Sequence, residues 1–150
     1  MLIRLAIDND EDAVIELMRA DVEETKFPHT GYVESRARET FQGYLARADP
    51  VIFVAEEGRK VVGMLAASLV GYRLAYGHKA ICEVIYVDPA YRGSRAATRL
   101  LRHAEAWARR VGAKELVGGV ENNYQPDRTA RFFELHGFKR MGYAMTRVLL

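Results

Sequence analysis

The chain predicts an α+β fold, a mixed and largely antiparallel sheet flanked by helices. Three observations lead there. Apolar, β-branched runs crowd the middle at Val51–Ala55, Val61–Val70 and Ala80–Val87, separated by turn chemistry. Apolar residues recur at helical spacing both before and after that block. The resulting order, β-α-α-β-β-β-α-β-α-β, is neither a strict βα alternation nor an all-helical pattern. With 150 residues, 49% of them hydrophobic, and no repeat, low-complexity tract or linker, one domain over residues 1–150 is expected.

Leu2–Ala6 reads as a short first strand. Asp8 and Asp10 offer caps for a helix whose Val14, Leu17, Met18 and Val22 share a face. Lys26–Gly31, containing Pro28, breaks it. A second helix, about Val33–Ala48, carries Val33, Ala37, Phe41, Tyr44 and Leu45 along one side, and Asp49-Pro50 stops it. Glu56-Glu57-Gly58-Arg59 is a hairpin signal between the next two strands. Tyr72–Lys79 reads as a loop or bent strand end, Ala80–Val87 as a third central strand closed by Asp88-Pro89. A helix follows over about Arg95–Val111, with Gly112 as its C-cap. The chain then predicts a strand at Glu115–Val120, a loop at Glu121–Pro126, a helix at Asp127–His136 ended by Gly137, and a final strand at Phe138–Leu149.

The net charge of +2 favours no nucleic-acid or membrane partner. Cys82 is the lone cysteine, so neither a disulfide nor a zinc cluster is expected, and it reads as a small core residue. Asp8, Asp10, Glu11 and Asp12 near the start are wrong for a signal peptide, and no stretch approaches about 20 apolar residues. A cytoplasmic protein without metal is expected.

Glu83–Val111 carries the chemistry. A strand runs into a turn holding Arg92, Gly93 and Ser94, and a helix starts at once, so free amides and the helix dipole make an anion site. On that helix Ala97, Leu100, Leu101, Ala104, Trp107, Ala108 and Val111 fall within roughly 120°, with Arg95, Arg99, Arg102 and Arg109 opposite. The arginine stripe is either a solvated face or, through Arg95 and Arg99, an aid to an anionic ligand. The turn lacks both the Gly-Lys-Ser/Thr ending of a nucleotide loop and the three-glycine dinucleotide fingerprint.

Tyr86-Val87-Asp88-Pro89-Ala90-Tyr91-Arg92-Gly93-Ser94-Arg95-Ala96-Ala97, followed by Leu100-Leu101, resembles motif A of the GNAT acetyltransferases, whose core is Arg/Gln-x-x-Gly-x-Gly/Ala. Arg92 and Ala97 match its ends, while Arg95 stands where the central glycine is usual. Ala130–Phe138 resembles the family's closing helix with its Gly-Phe signature, and Val51–Met64 its paired strands, so the resemblance spans nearly the whole chain.

The resemblance implies acetyl-CoA as co-substrate, seated where two parallel strands splay, here Ala80–Val87 and Glu115–Val120. The backbone of Tyr86 and Val87 would hold the pantetheine arm. The amides of Arg92, Gly93, Ser94, Arg95, Ala96 and Ala97 would hold the pyrophosphate. The tyrosine that usually faces the leaving thiolate is replaced by Phe133, and Asn122 lies near the family's cofactor-binding asparagine. An acetyl group would pass by direct attack to a small-molecule or peptide amine, the protein being a monomer or homodimer. An alkylamine of pKa about 10.4 must lose a proton to attack, and Glu83 is the candidate general base. Alternation puts it with Ile85 and Val87, where partial burial would raise its pKa; a carboxylate paired with Lys79 or an arginine is the other reading. Tyr124 is the candidate acid in place of Phe133, or an ordinary loop tyrosine. Tyr32, Tyr72 and Tyr76 could line the acceptor side, with the first two helices and the Gly71–Lys79 loop, and Tyr143 belongs to the same set. A CoA-binding regulatory module with little catalysis is the alternative function.

Overall fold

The sheet of this computed structural model, which describes residues 1–25, 31–119 and 123–149, has five strands in sequential order. They are β1 (Leu2–Leu5), β2 (Val51–Glu57), β3 (Lys60–Gly71), β4 (His78–Val87) and β5 (Leu116–Val117). The first three pairings are antiparallel, and only β4–β5 is parallel. Four helices flank the sheet: α1 (Glu11–Thr25), α2 (Glu34–Leu45), α3 (Ala96–Arg110) and α4 (Pro126–Leu135). The α+β expectation holds. None of the described helices is long and apolar enough to cross a membrane.

The continuous apolar run of β2 follows from burial on both sides. Ile52 and Val54 pack with Met64, Ala66 and Tyr86 against Val14, Ile15 and Leu17 of α1 and Phe41 of α2. Val51, Phe53 and Ala55 face the other way with Leu65 and Val87, under Leu100, Leu101, Ala104 and Trp107 of α3. The β2–β3 hairpin turns on Gly58 and Arg59, with φ of 54° and 68°, the left-handed pair that a two-residue turn requires.

Both C-terminal helices end on the same device. In α3 the amides of Gly112 and Ala113 bond Arg109 O and Ala108 O; in α4 those of Gly137 and Phe138 bond Glu134 O and Phe133 O. Gly112 and Gly137 take φ of 78° and 87°, as this closure demands. The Phe138 ring also stacks edge-on to Phe133, centroids 5.0 Å apart. The Gly-Phe pair at 137–138 is therefore a helix stop with its hydrophobic contact.

Several boundaries differ from the sequence reading. Asp8–Asp10 forms a 3-10 turn, and Asp10 acts there by accepting Ile7 N at 2.8 Å and a bidentate Arg4. The helix expected to run to Ala48 ends at Leu45, and Ala46–Pro50 turns instead. The expected strand at Glu115–Val120 pairs only at Leu116 and Val117, and Val120 lies outside the described residues. The expected break at Lys26–Gly31 lies almost wholly outside them as well. Phe138–Leu149 is not a strand: Met141, Tyr143 and Met145 alternate as one would but are each at least 90% exposed. Alternation prepares a strand, but a ladder needs a neighbouring edge, and the two-residue β5 supplies almost none.

Candidate active site

The site begins with an irregularity in β4. Val84 pairs with Ala66, but Cys82, not Glu83, pairs with Ala67, so Glu83 is the extra residue of a β-bulge. The bulge reverses the simple alternation. Cys82, Ile85 and Val87 belong to the α3 side, whereas Glu83 turns to the α1–α2 side that Val84 and Tyr86 occupy. There its carboxylate accepts from Ser68 Oγ at 2.5 Å and from the Tyr44 hydroxyl. The expectation that Glu83 lies with Ile85 and Val87, part-buried, is thus corrected: it is exposed, and its partners are two hydroxyls instead of Lys79 or an arginine. The Tyr44 phenol is pushed above its usual range by burial and by this carboxylate.

β4 and β5 are bridged only at Ala80–Leu116 and Ile81–Val117. Beyond this pairing β5 ends while β4 continues, and a cleft of about 800 Å³ opens beside the strand. Its walls are Asp21, Glu24 and Thr25 of α1, residues 81–87 of β4, Arg92–Ser94, Ala97 and Thr98 at the start of α3, and Val117–Gly119. Tyr124, Arg128 and Phe132 complete it. Residues 71–79 contribute nothing to this lining. Tyr72 instead donates to Glu115 at 3.0 Å beneath Lys114, and Tyr76 and Tyr143 are almost fully exposed.

At one end of the cleft lies a helix start with open amides. Gly93 takes φ 84°, folding the chain so that Ser94 N returns to Tyr91 O and Ser94 Oγ caps Ala96 N at 3.2 Å. The amides of Gly93, Arg95, Ala97 and Thr98 find no acceptor among the described residues. Arg95, where the motif usually has glycine, sits at φ −85° and ψ 8°, which any residue adopts, and its side chain projects into solvent. A side chain there costs the turn nothing.

Phe133 does not belong to the cleft. It is 5% exposed, packed on β5 where Gly118 leaves room, and the ring that faces the cleft is Phe132, one residue earlier. The helix presents its most inward position to the core, and the signature count alone cannot distinguish neighbouring rings. Asn122 lies outside the described residues. His136 donates from Nδ1 to Phe132 O at 2.7 Å and pairs Nε2 with Thr98 Oγ1 at 3.1 Å, so it ties α4 to α3, while His103 Nδ1 bonds Arg99 O; both are structural. The Cys82 thiol, pushed up to about 12 by burial, is no nucleophile.

Two carboxylates of α1, to which the sequence reading gave no functional role, also line the cleft. Asp21 is pushed up to about 6, first by burial and then by the charge of Glu24. Glu24 is held down at about 2, first by Arg92 and, against the cost of burial, by Tyr86 and Tyr124 as well. Their i,i+3 spacing on α1 was the available signal, but nothing local says that this face of the helix meets β4.

Known proteins share this family and fold. A model of the acetyltransferase (GNAT) family matches residues 12–138. No curated protein sequence matches the chain. Among solved structures, a transcriptional regulator from Bacillus halodurans C-125 superposes with TM-score 0.84 at 22% identity, covering 99% of each chain. The aminoglycoside N-acetyltransferase AAC(6')-Iy in complex with CoA gives 0.82 at 16%, over 98% of this chain and 93% of its own. Glucosamine-6-phosphate N-acetyltransferase from Arabidopsis thaliana gives 0.79 at 17%, over 99% and 97%. At such identities the superpositions establish the fold, and the match over 12–138 establishes kinship: the chain belongs to the GNAT family of acetyltransferases.

Proposed function

We propose that the protein is an acetyl-CoA-dependent N-acetyltransferase that moves the acetyl group to a small-molecule or peptide amine by direct attack, in the cytoplasm and without a metal. The observation that carries this is the cleft itself. One continuous gap joins the open amides at the start of α3 to the Glu83 carboxylate on the β4 bulge. The residues fit the co-substrate: unbonded amides suit a pyrophosphate, and the splayed edge of β4 offers Tyr86 and Val87 backbone to an amide-bearing arm.

In this mechanism the amides of Gly93, Arg95 and Ala97 hold the pyrophosphate. Glu83 accepts the proton of the incoming amine, whose nitrogen bonds the acetyl carbon as the carbon–sulfur bond breaks. Ser68 and Tyr44 each engage one oxygen of Glu83 and fix its orientation. Tyr124 is the proton donor to the departing thiolate in this reading: its bond to Glu24 keeps it protonated at rest, and the hydroxyl turns from Glu24 to the sulfur as the thiolate forms. The acceptor enters beside α1, where the Asp21 and Glu83 carboxylates suit an ammonium, the charge of Glu24 being matched by Arg92.

The likeness to a transcriptional regulator favours a second reading, a CoA-binding regulatory module. One experiment separates the two: incubation with acetyl-CoA and a panel of aminoglycosides, amino sugars, polyamines and peptides, following free thiol, with CoA binding measured by calorimetry. Turnover with an amine supports the transferase. Binding with no turnover supports the module, and absence of CoA binding overturns both.

A further inference from the structure

At the carboxyl end of β4, one carboxylate gathers donors from three separate segments. Arg92, in the turn before α3, places its fork on Glu24 with Nη1–Oε1 at 2.7 Å and Nη2–Oε2 at 2.6 Å. Tyr86, on β4, donates its hydroxyl to Oε2 at 2.9 Å. Tyr124, beyond β5 on the facing wall of the cleft, also bonds Glu24. Arg92 is held from a third direction, since its Nε donates to Val87 O at 3.1 Å and its guanidinium lies 5.3 Å from the Tyr86 ring centre.

We infer that Glu24 is a positioning residue, which sets the width of the cleft mouth and the pose of the anion-binding turn by bonding Arg92 and Tyr86 on one wall and Tyr124 on the other. Three consequences follow from the geometry. The Arg92 guanidinium, the first residue of the motif, is spent inside the protein, so the turn amides meet a phosphate and this cation does not. The Arg92 fork fixes the entrance to the 92–95 turn, because a planar bidentate pair constrains orientation as well as distance. And the end of α1 is anchored across both strands, which aims Asp21, one turn earlier, into the same cleft. An isolated surface ion pair would have little such effect. Here the pair is part-buried, and its carboxylate is shared among several donors.

The kinetic consequence rests on the acetyltransferase reading, but the structural one does not, and two measurements keep them apart. The first is a thermal-unfolding cycle of Glu24→Gln, Arg92→Gln and the double variant. A unit predicts that the double variant loses little more melting temperature than either single one; additive losses overturn the inference. The second is CoA affinity by calorimetry, below the lowest melting point. Glu24→Gln is expected to weaken CoA about tenfold, with KM for acetyl-CoA rising and kcat changing less than about threefold. Unchanged affinity in the folded variant overturns the positioning role. If Glu24→Gln does not fold, Tyr86→Phe and Tyr124→Phe each remove one arm without stranding a charge. Each is then expected to weaken CoA about threefold, and wild-type affinity in both overturns the inference. If the wild-type chain itself binds no CoA, the acetyl-CoA reading fails while the unfolding cycle still decides the role of Glu24.

Discussion

Gly118 is the floor on which the Phe133 ring lies. A methyl carbon built at position 118 would stand 2.3 Å from Phe133 Cε1 and 2.7 Å from Cζ, inside any real contact distance. The ring is wedged between β5 and Phe138, so it cannot swing away freely. Gly118→Ala is therefore expected to lower stability by about 1–3 kcal/mol through overpacking. Adding Phe133→Leu should recover part of that loss, and a thermal-unfolding cycle reads it. If the two losses simply add, the contact is not the reason for glycine at 118.

Asp21 makes stability depend on pH in a stated direction. Its folded pKa, about 6, lies above its usual 3.8, so the folded protein holds this proton more tightly than the unfolded chain. Its contribution is intact below about pH 4 and is lost as pH rises through about 6. The gap caps the loss at about 3 kcal/mol, and contact with solvent trims it. Asp21→Asn is expected to raise the melting temperature at pH 7–8 and to match wild type near pH 4. Glu24 acts in the opposite sense, stabilising above its usual value and losing that as pH falls through about 2, so the two windows separate. Parallel wild-type and Asp21→Asn curves from pH 4 to 8 would remove Asp21 from this account.

Gly93 is needed for its backbone and not for space. An added methyl would meet nothing within 4 Å, yet φ 84° is strained for any side chain. Gly93→Ala is expected to cost about 1–2 kcal/mol in folding and to weaken CoA severalfold, because the turn amides lose their common aim. Calorimetry beside thermal unfolding checks this, and full CoA affinity would mean that the turn does not hold the pyrophosphate.

The elements legible in the sequence were those whose signals are local. Periodicity marked α1 and α3, the Gly58-Arg59 turn marked the central hairpin, and Gly112 and Gly137 marked two helix stops that the structure closes as expected. The anion turn was legible for the same reason, as glycine and helix start are neighbours in the chain. What was not legible depends on contacts made across the sheet. The bulge at Glu83 is a matter of register between β3 and β4, which alternation within β4 cannot reveal. The role of Glu24 was not legible because its partners lie 62 to 100 residues further along. The choice between Phe132 and Phe133 turns on the bare surface of Gly118, just past β5 and far from α4 in the chain.

Glu83 offers the sharpest test of the chemistry. Its carboxylate sits on the bulge at the open side of the cleft, and each oxygen has a hydroxyl donor, Ser68 on β3 and Tyr44 on α2. An amine that attacks a thioester must shed a proton, and a positioned base is worth about 10²–10⁴ in rate. Glu83→Gln keeps the shape but cannot take that proton, and its NH2 must donate where one carboxylate oxygen had accepted. The rate should fall by about that range, the limb of the pH–rate profile that reports the base should flatten, and CoA affinity should stay within about twofold. Tyr44→Phe and Ser68→Ala leave the carboxylate in place but loosen it. Each should lower kcat by about tenfold or less and shift the same limb, with KM for acetyl-CoA unmoved. A Glu83→Gln enzyme with wild-type rate and profile would exclude this residue as the base. A rate loss explained wholly by weaker CoA binding would instead make Glu83 part of the cofactor wall.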